Sequence, residues 1–207
     1  MTPLGVMVGL LLIAAGYFSG AVPWGVILGR LTSGTDIRRH GSGSTGATNA
    51  LRVLGWRISL AVFALDFAKG ALPVLLANLV GLNGWWQAAV GIAAVVGHCW
   101  SPVLGFHGGK GMATGAGAAA AIFPWVLFIF PLMALVVALT RYVSLASIIG
   151  SLVVAAVVVV CSIVGLVSWS ASVAIALIAA IIIFQHQSNI RRLLAGTESR
   201  FGEGTGS

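Results

Sequence analysis

The sequence predicts an all-α protein that crosses a lipid bilayer several times, and three observations carry that reading. Of its 207 residues, 59% are hydrophobic and only 7% are charged, against about 25% charged in soluble domains. So few polar groups cannot cover a water-facing surface. Apolar runs recur at roughly 3–29, 57–80, 85–102, 112–139, 144–164 and 169–187. About 20 mostly apolar residues suffice to cross a ~30 Å hydrocarbon core at ~1.5 Å per residue. The arginines and lysines gather in the short connectors between these runs, a pattern of membrane topology. The formal net charge of +7 is therefore read as topology and not as a nucleic-acid surface.

Taken in order, the first run has neither a basic stretch before it nor a small-residue cleavage site after it. It is expected to stay as a span. The fourth run is longer than one span and contains Pro124 and Pro131. It reads either as one kinked helix or as two short helices turning near Phe123-Pro124. The turn gives seven crossings and puts every connector arginine and lysine on one side, including Arg30, Arg52, Lys110, Arg141 and Arg192. The single helix would send Arg141 and the C-terminal arginines to the other side. The positive-inside rule favours seven spans, with the N-terminus outside and the C-terminus cytoplasmic. Residues 111–123 would rise only ~20 Å as a helix, so their start should lie below the headgroups or the bilayer should thin there. Their small residues allow neighbouring helices to approach closely. The whole reads as one transmembrane domain, 1–195, followed by a short polar tail, 196–207. Cys99 and Cys161 stand in separate apolar contexts without a CxxC partner, which indicates neither a disulfide framework nor a zinc site.

Four polar segments fall on the side given to the cytoplasm. In Arg38 to Arg52, the glycines Gly41, Gly43 and Gly46 let the backbone turn and present its N–H groups. Ser42, Ser44, Thr45 and Thr48 add hydroxyls. Thr48 or Asn49 can cap the next helix, whose N-terminus attracts anions, and Arg52 lies one turn on. The alternative is a flexible Gly/Ser linker. The second segment runs from Gly97 to Gly111. It is not a Walker A loop, because Leu104 stands where the first glycine belongs and Gly111 where a Ser or Thr would follow the lysine. Lys110 beside Gly108, Gly109 and Gly111, opening a helix, still suits a phosphate. His98 is either a site residue or a packed histidine. In the third segment Arg141 precedes Ser144 and Ser147, which share a helix face. In the fourth, His186 and Asn189 share a face, followed by Arg191 and Arg192. Asp66 and Lys69, one turn apart inside the second run, would each cost at least ~2.5–3.5 kcal/mol unpaired in the bilayer. An ion pair between them is expected.

At these residues the chain resembles the bacterial acyl-phosphate:glycerol-3-phosphate acyltransferases, the PlsY type. The resemblance rests on Ser19-Gly20-Ala21-Val22-Pro23-Trp24-Gly25; Gly41-Ser42-Gly43, Gly46-Ala47-Thr48-Asn49 and Arg52; and Asp66-Phe67-Ala68-Lys69-Gly70. It continues through Gly97-His98, Pro102, Phe106 to Thr114, Arg141 to Ser147, and His186, Asn189-Ile190 and Arg192-Leu193-Leu194. Three positions depart: Ser44 where the family usually has Asn, His107 where Lys is common, and Met112 where Val is common.

The resemblance implies a seven-helix enzyme of the cell (inner) membrane that moves a fatty acyl group from acyl phosphate to the 1-hydroxyl of sn-glycerol 3-phosphate. Lysophosphatidic acid and phosphate are the products, the first step of phospholipid synthesis. No cofactor or metal is implied. The partners would be the two substrates, membrane lipids and the soluble enzyme that makes acyl phosphate. It implies His186, Asn189, Ser147, Lys110 and His98 as the catalytic set. Ser42, Gly43, Gly46, Thr48, Asn49, Arg52, Gly108, Gly109, Gly111, Thr114, Arg141, Ser144 and Arg192 would bind substrate. Amides near Gly108-Gly109 are candidates for an oxyanion site, and His98, His186 or the leaving phosphate for the proton acceptor. An organophosphate transporter is the main rival. It would want access from both faces and an inverted repeat, and neither is visible. A CDP-alcohol type transferase would need clustered aspartates, and only Asp36 and Asp66 are present.

Overall fold

In a computed structural model, residues 2–202 are described, and they form ten α-helices joined by turns and three short 3-10 segments. No strand occurs among them. Helices α1 (Pro3–Ala21) and α2 (Trp24–Ser33) divide the first apolar run at Val22-Pro23, where proline cannot donate to the helix ladder. Then come α3 (Ala47–Leu54), α4 (Trp56–Leu79), α5 (Gly84–Cys99) and α6 (Met112–Ile122). The 3-10 turn Pro124–Phe128 leads into α7 (Ile129–Thr140), followed by α8 (Val143–Ile163), α9 (Trp169–Gln185) and α10 (Gln187–Leu194).

The fourth run is thus broken at Phe123. Four stretches, Pro3–Ser33, Trp56–Leu79, Gly84–Leu104 and Val143–Ile163, are long and apolar enough to cross a membrane. Helices α9 and α10 add a fifth if taken as one span bent by 57°. Helix α6 and the Pro124–Thr140 stretch are apolar but shorter.

Packing is closest where glycine removes the side chain. A Cβ on Gly97 of α5 would lie 2.0 Å from the Tyr17 carbonyl oxygen of α1, and one on Gly20 of α1 would lie 1.9 Å from that of Ala94. The same reciprocal arrangement joins α4 and α6 through Gly70 and Gly117. Backbones touch directly there, so the helices gain dispersion contact without a hydrophobic drive, which lipid cannot supply. Val74, Val90, Val95, Ala118, Ile178 and Ile182 fill the centre between α4, α5, α6 and α9.

Asp66 and Lys69 meet in α4, Nζ to Oδ1 2.7 Å, both nearly inaccessible. Lys69 Nζ also donates to the Val22 carbonyl (2.7 Å). That carbonyl sits at the α1–α2 break and also accepts from the Trp24 N–H (3.2 Å), so the buried ammonium ties this break to α4 while meeting its own counter-ion.

Candidate active site

The four polar segments meet at one end of the bundle around a cavity of about 690 Å³. Its floor reaches down to Phe63 and Asp66 of α4 and to Phe130 and Met133 of α7. The first wall is the loop between α2 and α3. Asp36 anchors it, accepting from Arg38 (2.6 Å) and Arg30 (2.9 Å), and the Arg38 guanidinium holds its carboxyl well below the usual range. Asn49, 1% exposed, staples the loop from inside. Its amide nitrogen donates toward the carbonyls of Ile37 (2.8 Å), Ser44 (2.8 Å) and His40 (3.2 Å), and its oxygen accepts from the Ser42 N–H (2.8 Å). This overturns the capping role given to Thr48 or Asn49. The N-cap of α3 is Gly46 with no side-chain bond, because Asn49 has loop carbonyls to satisfy. Asn49→Asp is expected to unfold the loop. A carboxylate facing three carbonyl oxygens leaves them unpaired, at ~1–3 kcal/mol per buried group. Proteolysis within 38–46 should accelerate while the bundle's thermal transition moves little.

The second wall is Lys110, whose Nζ donates to Asn189 Oδ1 at 2.6 Å. Burial is the main cause that lowers the ammonium to about 8; the Glu198 carboxylate opposes this, and Arg192 and Arg52 add to it. Gly111, with φ of +81°, turns the chain into α6, a left-handed conformation that suits glycine. Gly111, Met112 and Ala113 thereby bring the α6 N-terminus to the cavity, where its unpaired amides favour an anion. The amides of Gly108 and Gly109 do not serve there. They donate to the carbonyls of Cys99 (3.0 Å) and His98 (3.1 Å), so neither amide is free for an oxyanion.

The third wall is His186, Asn189, Ser144 and Ser147. His186 Nδ1 lies 2.7 Å from the Ile182 carbonyl oxygen. A carbonyl only accepts, so Nδ1 carries the proton and Nε2 keeps the lone pair. Asn189 Nδ2 donates to Glu198 Oε1 (2.6 Å), as does the Ser144 hydroxyl (2.6 Å), and Arg192 Nε donates to Oε2 (2.7 Å). Burial pushes the Glu198 carboxyl up, but these bonds outweigh it and hold it below its ordinary value.

A protein-family model described as "Glycerol-3-phosphate acyltransferase" matches residues 10–196. The chain belongs to the glycerol-3-phosphate acyltransferase family. Curated glycerol-3-phosphate acyltransferases resemble it along almost its whole length. That of Synechococcus sp. CC9902 is 45% identical, covering 94% of this chain and 96% of its own. Glycerol-3-phosphate acyltransferase 1 of Deinococcus radiodurans is 43% identical, covering 95% and 98%. The crystal structure of PlsY (YgiH), an integral membrane glycerol 3-phosphate acyltransferase, in its glycerol 3-phosphate form superposes with a TM-score of 0.85 at 38% identity, covering 94% and 96%. The lysophosphatidic acid form gives 0.84 at 37%, covering 94% and 95%.

Within this glycerol-3-phosphate acyltransferase, Ser42, Gly46, Thr48, Arg52, Lys110, Gly111, Ser144, Ser147, His186, Asn189 and Arg192 line the one cavity. His98 also lines it, with Nδ1 3.8 Å from Asp66 Oδ1. Five expected residues do not line it: Gly43, Gly108, Gly109, Thr114 and Arg141. Gly43 forms the turn behind the loop with φ of +71°. Thr114 is fully buried, and its carbonyl abuts Gly70. Arg141 is occupied by the C-terminal segment, donating through Nε and Nη2 to the Phe201 carbonyl (3.0 and 2.8 Å). Asn49 does line the cavity, yet its amide is spent on the loop. The residue that sequence reasoning missed is Glu198, read there as part of a polar tail. The sole signal was an acidic residue a few positions beyond Arg191-Arg192 in a chain with four carboxylates. Residues 203–207 of that tail lie outside the described residues.

Proposed function

We propose that this glycerol-3-phosphate acyltransferase takes acyl phosphate as its donor, and that the cavity described above holds both reactants at the cytoplasmic face of the inner membrane in a seven-span fold. The observation that carries the reading is the shape of the site. A cationic, amide-rich rim sits above an apolar floor of Phe63, Phe130, Met112 and Met133, which matches a phosphate head joined to a fatty chain. Arg52, which makes no hydrogen bond or ion pair among the described residues, Lys110 and Ser42 hold phosphate. A soluble enzyme that makes acyl phosphate would supply the donor.

In this reading the 1-hydroxyl of glycerol 3-phosphate attacks the acyl carbonyl carbon. A new ester C–O bond forms, the bond to phosphate breaks, and inorganic phosphate leaves. His186 Nε2 takes the hydroxyl proton and passes it to the departing phosphate. The first-turn amides of α6 steady the oxyanion, a contribution of ~3–4 kcal/mol per donor where it applies. Acyl phosphate is already activated, so no covalent acyl-enzyme is needed.

Purified protein given palmitoyl phosphate and labelled glycerol 3-phosphate is expected to yield lysophosphatidic acid and one phosphate per turnover, with no product from acyl-CoA. Product from acyl-CoA alone would refute the donor assignment. His186→Ala is expected to lower kcat by about 10²–10⁴-fold, the span of general acid–base catalysis, and His98→Ala by far less. Equal activity of His186→Ala and wild type would remove the imidazole from the mechanism.

A further inference from the structure

Helix α7 is attached to the bundle unlike any other. It has no buried residue, whereas every other α-helix among the described residues has at least one. It packs chiefly on α8 and on the 3-10 turn before it. Its sequence, Ile-Phe-Pro-Leu-Met-Ala-Leu-Val-Val-Ala-Leu-Thr, carries no charge. It enters through the Phe123 break and leaves at Arg141, a non-glycine residue with φ of +64°. Few buried apolar contacts and a helix break at each end mark a segment that moves before the rest.

What α7 covers is apolar. Phe130 and Met133 close the cavity floor, and Phe130 meets Phe63 of α4 edge-on with centroids 6.2 Å apart. Phe63 lies about 10 Å along α4 from Trp56, and Phe130 about 15 Å along α7 from Thr140, at ~1.5 Å per residue. The ring contact therefore stands well below the helix ends, at the depth of hydrocarbon. Beside the cavity, with Met112 and Phe130 lining both, lies a separate apolar seam between α6, α7, α8 and α9. The void there is about 40 Å³, room for a few water molecules and not for a fatty chain. For a chain to extend from the cavity into this seam, an element must move.

We propose that α7, with the Pro124–Phe128 turn, is a lateral gate through which the donor's fatty chain passes between bilayer and cavity, closed by Phe130 against Phe63. Its ligand is an extended saturated acyl chain. The gate rests on the acyl-phosphate reading for the identity of the donor. Glycerol 3-phosphate, water-soluble, enters past the polar rim and does not use it.

The experiment starts from a form with Cys99 and Cys161 replaced by alanine, carrying Phe63→Cys and Phe130→Cys. A short, reducible dithiol-specific reagent bridges the two. Bridging is expected to cut palmitoyl phosphate turnover by about tenfold or more, with recovery on reduction, while the Kd for glycerol 3-phosphate stays within about twofold. Full turnover in the bridged protein would overturn the gate. So would parallel loss of glycerol 3-phosphate binding, which would make the ring pair a support of the polar site. If the cysteine form does not fold, Phe130→Trp is the second arm, with a raised KM for palmitoyl phosphate and an unchanged KM for glycerol 3-phosphate expected. An unchanged donor KM would refute the proposal. Failure of the donor reading shows separately, as an unbridged protein inactive on palmitoyl phosphate and active on palmitoyl-CoA. Bridging is then scored on that thioester by the same criteria.

Discussion

Lys110→Met is expected to lower kcat/KM for glycerol 3-phosphate by about 10²–10³-fold, the loss typical of removing one preorganised donor from developing negative charge. Lys110 is the cation at the meeting point of three segments. Its Nζ touches Asn189 from the last helix pair, its own loop opens α6, and Arg52 of α3 is near enough to depress it. Burial without a direct carboxylate partner lowers the ammonium to about 8. The charged form binds phosphate, so affinity should be full well below pH 8 and fall as pH rises through that value. Lys110→Arg is not a rescue, because a planar fork cannot occupy the place of a compact ammonium. Steady-state kinetics of the three forms between pH 6 and 9.5 would check this; a wild-type profile flat through pH 8 with a fully active methionine variant would contradict it.

Glu198→Ala is expected to have the next largest effect, and it falls on stability and activity together. One carboxylate accepts from Ser144, Asn189 and Arg192. Removing it leaves buried donors unpaired, at ~1–3 kcal/mol for each group that water cannot reach. The Arg192 contribution is small, since its side chain is 41% exposed. Asn189 also loses the bond that orients its oxygen toward Lys110, so turnover should fall by about tenfold or more even where the variant folds. The folded-state carboxyl lies below its ordinary value of 4.5. Its contribution is therefore present above that value and is lost as pH falls through the depressed one. Thermal denaturation in detergent at pH 7 and pH 4 checks this: the gap between wild type and Glu198→Ala should narrow at the lower pH.

The long apolar helices were legible because the bilayer demands long apolar runs, and the Phe123 break because a proline follows it. The convergence of Arg52, Lys110, Ser147 and His186 was legible for the same reason, since topology puts their segments at one end of the bundle. Roles that depend on hydrogen-bond direction were not. Nothing in Gly46-Ala47-Thr48-Asn49 says that the asparagine turns back into the loop, and nothing in Gly108-Gly109 says that both amides are taken by the end of α5. Glu198 was hidden because an acidic residue in a polar tail reads as solvent-facing, and Ser144 and Asn189 are brought to it only by tertiary packing. Arg141 shows the converse: the resemblance suggested substrate, and the fold gives it to the Phe201 carbonyl.

The account stands on one anion site assembled from separate connectors. A crystal or cryo-EM structure of the protein with glycerol 3-phosphate tests this most directly. The phosphate is expected within hydrogen-bond distance of Lys110 Nζ and the Arg52 guanidinium, with the 1-hydroxyl toward His186 Nε2. A phosphate seated away from both Lys110 and Arg52, or a hydroxyl pointing away from His186, would contradict it.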